Sequence, residues 1–206
     1  MDKLWCEIGG RPLLAYTLDG LAASRAFDVV VVASPKPRWD AIISLVSASG
    51  LPAPRLTVGG DRRQDSVRFA LELCGDCEWV CVHDAARPLV GAEVVHRALE
   101  VARDTGAATA AVPCVDTIKV VHDAHVIRTL DRSELVATQT PQVFRTTVLQ
   151  RAHEEALAKG TTGDDDAFIV EQAGVGVTVV AGEPRNIKVT HPHDLEVVRA
   201  LLGVPP

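Results

Sequence analysis

The chain is poor in aromatic side chains: four Phe, three Trp and one Tyr make up 4% of 206 residues, with a single Met. Its core must therefore be built from Val, Ala, Leu and Ile, the residues of buried strands and of helices packed closely on them. No apolar run approaches the ~20 residues of a membrane-spanning helix. The opening MDKLWCEIGG has no hydrophobic signal region, so a cytoplasmic location is expected. Basic residues do not dominate. Lys and Arg number 21 against 27 Asp and Glu, a net charge of −6. That argues against proteins held on nucleic acid or anionic membranes by overall charge, and leaves room for a local cation cluster around a phosphate. The cysteines, Cys6, Cys74, Cys77, Cys81 and Cys114, are odd in number and read as reduced thiols. Cys74, Cys77, Cys81 and His83 imitate zinc spacing, but no second pair completes a tetrahedral site, so packing in and beside a buried strand is the expectation. There is no repeat, low-complexity tract or interdomain linker.

What is present is an alternation of strand and helix. Apolar residues are 47% and charged residues 23%, proportions that exclude disorder. One domain over 1–206 is expected, able to bury roughly 70% of its unfolded surface. Helical spacing marks residues 11–24, 39–48, 65–74, 91–104, 146–159, 166–172 and 192–202, the last with Pro192 in its first turn. Continuous β-branched runs mark strands at 27–34 and 78–84. Shorter strands are expected at 56–58, 107–114, 175–180 and 186–190. Residues 116–132 break the alternation and read as a hairpin arm turning at His122–Ala124. Repeated βα units imply a doubly wound, mostly parallel α/β sheet with ligands beyond the carboxyl ends of its strands.

Four segments carry candidate chemistry. Asp84 follows a buried strand and can hold a metal or a substrate hydroxyl. Arg87, three residues on, can pair with it or with an anion. Gly59-Gly60-Asp61 opens a helix carrying Asp65 and Ser66, a place where a ligand can approach backbone N–H groups; Asp61, Asp65 and Ser66 suit a helix cap or contacts to a base or ribose. Alternation along Asn186–Thr190 puts Asn186, Lys188 and Thr190 on one face, suggesting an anion site. Arg132 can clamp a phosphate. The acidic run Asp164–Asp166 reads as favourable charge at a helix start.

HDAARP (83–88), DTIK (116–119), TQTPQVF (138–144) and NIKVT (186–190), with GGDRRQDSV and the opening DKLWCEIGGRPLLAYTL, resemble in order and spacing the 2-C-methyl-D-erythritol 4-phosphate cytidylyltransferases. The resemblance spans essentially the whole chain. It implies a Rossmann-like nucleotidyltransferase fold and a reaction in which the phosphate of methylerythritol phosphate attacks the α-phosphorus of CTP, releasing pyrophosphate, with Mg²⁺ as cofactor. It implies that Lys3 stabilises the transition state and that Arg132 and Lys188 position the sugar phosphate. Thr117 and Thr140 lie near that substrate with Asp84 and Arg87; Gly60, Asp61, Ser66 and Ala85 form the cytidine site; Asp84 serves the metal shell. The arm would cross to a second subunit, so that a homodimer shares its active sites. The family's Ala-Ala-Gly-x-Gly-x-Arg loop and the strand before it have no counterpart in these residues. Asp2 stands in place of proline and Asp164 in place of threonine. Weakened CTP binding is expected from these departures. The alternatives are a pentitol-phosphate (ribitol 5-phosphate type) cytidylyltransferase and a non-catalytic dimeric relative.

Overall fold

A computed structural model describes residues 2–204. Glu7–Ile8 (β1) and Arg11–Pro12 (β2) form a small hairpin, followed by Leu13–Ala23 (α1), Val30–Ala33 (β3), Trp39–Ser49 (α2), Pro54–Thr57 (β4), Arg63–Leu71 (α3) and Trp79–Val82 (β5). Then come Ala92–Thr105 (α4), Ala107–Pro113 (β6), Lys119–His122 (β7), His125–Thr129 (β8) and Val136–Arg145 (β9). Thr146–Lys159 (α5), Asp166–Gln172 (α6), Thr178–Ala181 (β10) and Pro192–Leu202 (α7) complete the fold. The expected helices are all present, with ends shifted by up to three residues.

The strands form a four-stranded sheet in the order β10-β6-β9-β5 and a separate parallel pair, β3-β4. β10 and β6 run parallel, whereas β9 lies antiparallel between β6 and β5. The sheet is therefore an α/β sheet with one reversed strand. β9 was not foreseen because Pro141 falls inside it, and proline in a run argues against a central strand.

Helices cover both faces, and the side-chain alternation of β5 shows why its sequence is apolar throughout. Val80 and Val82 pack into a core with Leu71, Phe144 and Leu149 from α3, β9 and α5. Trp79 and Cys81 face the opposite core, built on Val94, Ala98 and Ala102 of α4. Small alanines in α4 and β6 let that layer close without aromatics. Gly20 serves the same end: a Cβ there would lie 2.6 Å from the Val90 carbonyl oxygen. The arm is β7 paired with β8 and with no other strand among the described residues, turning at Asp123 and Ala124, both at positive φ. Asn186–Thr190 is not a strand. Asn186 is fully buried whereas Lys188 and Thr190 are exposed, so the expected single polar face does not exist.

Candidate active site

The carboxyl ends of β4 and β5 converge on Asp84. Its Oδ1 accepts from Arg63 Nε at 2.9 Å, while Lys188 Nζ lies 2.9 Å and Arg87 Nε 3.6 Å from Oδ2. Desolvation alone would raise the Asp84 carboxyl, but the charges of Arg63 and Lys188 outweigh it and hold the group down at about 2. A single carboxylate thus sits among three cations, leaving a net positive site at the strand ends.

The backbone aims this cluster. Thr140 Oγ1 accepts from the Asp84 N–H at 3.0 Å and lies 3.1 Å from His83 Nδ1. Desolvation pulls His83 down to about 4, so the ring is neutral at pH 7. The Thr140 hydroxyl then donates to Nδ1, and Nε2–H donates to the Arg87 carbonyl at 3.2 Å. Lys188 is brought in by side-chain anchoring: Asn186 Nδ2 donates to the Thr140 carbonyl at 2.7 Å, and the Asn186 carbonyl accepts from Arg87 at 2.8 Å. These bonds hold the segment where a sheet ladder was expected.

Arg63, which no sequence motif singles out, links the cluster to the interior. Its Nη1 lies 2.7 Å from Asp166 Oδ2, and Asp166 Oδ1 is 2.9 Å from His153 Nε2. Asp166 and His153 are both buried. Gln142, also buried, accepts from the N–H groups of Asp166 and Ala167 at 3.1 Å each, fixing the start of α6. Asp165 caps that helix by accepting from Phe168 N–H, as the acidic run implied. Asp166 has a different task, as counter-ion to Arg63. The only sequence signal for Arg63 was a second arginine beside a glycine pair at a helix start.

The glycine loop adjoins this ion pair. Ser66 Oγ accepts from Gly60 N–H at 3.0 Å, and a Cβ on Gly60 would lie 2.4 Å from that of Asp65, so the tight turn requires glycine. No side chain caps α3; Asp65 instead pairs with Arg62 at 2.9 Å. The Ala85 carbonyl accepts from Thr17 Oγ1 at 2.7 Å. Lys3 begins a short 3₁₀ turn capped by Asp2, whose Leu4 and Trp5 pack with Ala85 in one cluster.

Asp84, Arg87, Thr140 and Lys188 are thus brought together, with Gly60, Ser66 and Ala85 around them. Thr117 and Arg132 are not. Both are exposed at the base of the arm, where Arg132 Nη1 donates to the Val115 carbonyl at 2.9 Å. Among the described residues no group of three acidic, His or Cys side chains is placed to hold a metal ion.

A mostly parallel α/β sheet with a glycine loop and a cation cluster at its strand ends defines a phosphate-handling transferase of nucleotidyltransferase type. Comparison with known proteins narrows this. Residues 1–204 match the family model of 2-C-methyl-D-erythritol 4-phosphate cytidylyltransferase (IspD). The chain is 40% identical over 202 residues to the Bacillus licheniformis enzyme of that name, covering 98% of this chain and 87% of the relative. The crystal structure of the Thermus thermophilus enzyme superposes with a TM-score of 0.82 at 36% identity, covering 98% and 94% of the two chains. The 4-diphosphocytidyl-2C-methyl-D-erythritol synthase of Anaerococcus prevotii gives 0.89 at 29% identity, covering 97% and 93%. The chain belongs to the 2-C-methyl-D-erythritol 4-phosphate cytidylyltransferase family, enzymes of isoprenoid biosynthesis.

Proposed function

We propose that the cluster around Asp84 performs the family's reaction in this chain: transfer of CMP from CTP to 2-C-methyl-D-erythritol 4-phosphate, with loss of pyrophosphate. The observation that carries the assignment of residues is the single carboxylate held among Arg63, Arg87 and Lys188. An anionic nucleophile must meet an anionic phosphorus, and fixed cations offset that repulsion without reorganising. Lys188, the most exposed of the three, takes the sugar phosphate. Asp84 accepts a substrate hydroxyl, and Arg87 and the buried Thr140 hold it in place. Gly60, Asp61, Ser66 and Ala85 receive the cytidine, and Lys3 the α-phosphate. The Asp84 oxygens already accept from Arg63 and Lys188, so these residues do not form a metal cage. A divalent ion, Mg²⁺ by the family's chemistry, fits instead as the companion of the CTP phosphates.

The arm supports a homodimer. Val121, Val126 and Ile127 are each about 60% exposed, an apolar surface that a second copy would cover. Thr117 and Arg132 would then serve the partner's site. The test of the reaction is ³¹P NMR of the protein with CTP, Mg²⁺ and either methylerythritol phosphate or ribitol 5-phosphate. Pyrophosphate and a diphosphocytidyl product with the first alone are expected; product with the second alone would overturn the reading.

A further inference from the structure

The ion pairs around Asp84 continue inward, away from any surface a substrate can reach. Arg63 of α3 spans two carboxylates, with Nε 2.9 Å from Asp84 Oδ1 and Nη1 2.7 Å from Asp166 Oδ2. The other Asp166 oxygen lies 2.9 Å from His153 Nε2. A carboxylate only accepts, so Nε2 carries a proton and donates it. His153 Nδ1 is buried and has no partner among the described residues, which leaves Asp166 as the ring's one polar contact. Asp166 is held through its backbone as well. Gln142 Oε1 accepts from the Asp166 N–H, while Gln142 Nε2 donates to Thr109 Oγ1 at 3.0 Å and Asp165 Oδ2 at 2.9 Å. Side-chain exposure separates the two halves of the chain of contacts. It is 40% for Lys188 and 29% for Arg63, but 1% for both Asp166 and His153.

Packing of α5 on α6 does not need this polar pair. Leu149, Ala152 and Ala156 of α5 already meet Ile169 and Val170 of α6 in one apolar core. Burying an imidazole and a carboxylate there is costly, and well-packed apolar residues of similar volume hold two helices at least as well. What the pair adds is a fixed acceptor for Arg63. The donors of a guanidinium lie in one rigid plane, so anchoring Nη1 on Asp166 aims Nε at Asp84. With Asp84 Oδ1 taken by Arg63, Oδ2 is turned to Lys188. We propose that His153 is a positioning residue for cytidylyl transfer: it fixes Asp166, Asp166 fixes Arg63, and Arg63 sets the orientation in which Asp84 presents Lys188 to the sugar phosphate. His153 touches no substrate. The role rests on the transfer reaction proposed for the Asp84 cluster and extends it to a residue outside every segment that carries the family resemblance.

The experiment compares wild type, His153→Gln and His153→Leu as 206-residue chains, at a temperature where circular dichroism shows all of them folded. Steady-state rates are measured with CTP, Mg²⁺ and methylerythritol phosphate. Solvent exchange of the Arg63 Nε–H is followed by ¹⁵N NMR, the resonance being assigned by its loss in Arg63→Gln. A Gln side-chain amide still donates to Asp166, whereas Leu cannot. His153→Leu should lower kcat at least roughly tenfold and leave the KM for CTP within about twofold. The KM is spared because the Arg63 side chain bonds Asp84 and Asp166 and none of the residues assigned to cytidine. Arg63 Nε–H exchange should quicken at least roughly tenfold in His153→Leu, and His153→Gln should restore both readouts to near wild type. Asp166→Asn keeps the side-chain shape and should give the same pattern as His153→Leu, so it serves if the leucine variant does not fold. Unchanged kcat in His153→Leu, equal losses in the two His153 variants, or a lower kcat with Arg63 Nε–H exchange unchanged would overturn the proposal. No product from wild type would overturn the transfer reaction itself, whereas product from wild type with no difference among the variants would overturn the role of His153 alone.

Discussion

Asp84 is a carboxylate whose neighbours are cations, and its titration should show it. Its folded value near 2 lies below its usual 3.8, so the folded state holds the proton less tightly than the unfolded chain. The stability this contributes, roughly 2 kcal/mol, is fully present above about pH 4 and is lost as pH falls toward 2. Urea unfolding of wild type and Asp84→Asn should therefore differ most at pH 6 and draw together as pH falls toward 2; a gap constant with pH would contradict the pairing. His83 acts in the neighbouring window. Its value near 4, against the usual 6.5, means the unfolded chain binds the extra proton, so stability falls as pH drops from 6.5 to 4. A His83→Gln variant should flatten that slope. For the chemistry, Lys188→Ala should cut turnover at least tenfold, about 1.4 kcal/mol of barrier. Unchanged turnover and KM would remove Lys188 from the site.

At the scale of elements, the glycine loop and α3 connect substrate contacts to the interior. Gly60→Ala forces the loop off Asp65 and should weaken CTP binding in calorimetric titration, with Tm lowered by a few degrees, about 1–2 kcal/mol. Arg63→Gln leaves the buried Asp166 and the nearly buried Asp84 without their shared partner. Its cost should approach the 3–5 kcal/mol of a broken buried pair, read by urea denaturation; a change below about 1 kcal/mol would show that the ion pairs carry little. Much of this scaffold was legible in the sequence, because helices with clear periodicity and strands buried on both faces leave strong patterns. The arm was legible as an interruption of the alternation. β9 was hidden by Pro141, and Asn186–Thr190 imitated a strand because it is pinned by Asn186 and not by a ladder. The pairing of Arg63 with Asp166 joins residues 103 positions apart, and no local pattern encodes it. Local pattern offered Asp84 and Lys188 as separate candidates and only the family resemblance joined them; the fold supplies their contact, 2.9 Å from Lys188 Nζ to Asp84 Oδ2.

Taken whole, the molecule exposes 11410 Å², against roughly 9,300 Å² for a compact monomer of its mass. The arm, exposed along all of β8, adds to that excess. A dimer formed through the arm would cover Val121, Val126 and Ile127 and bring Arg132 and Thr117 to a partner's strand ends. Ile127→Asp with Val126→Asp should then yield monomers in sedimentation while the domain keeps its Tm. The central claim is a catalytic site built on Asp84 and Lys188 and completed by the arm of a second copy. It is tested most directly by mixing two inactive variants, Arg132→Ala and Lys3→Ala, under conditions where subunits exchange. One site of each mixed dimer would be intact, so the mixture should recover cytidylyl transfer that neither variant shows alone. No recovery, with mixed dimers confirmed by native mass spectrometry, would contradict the shared site.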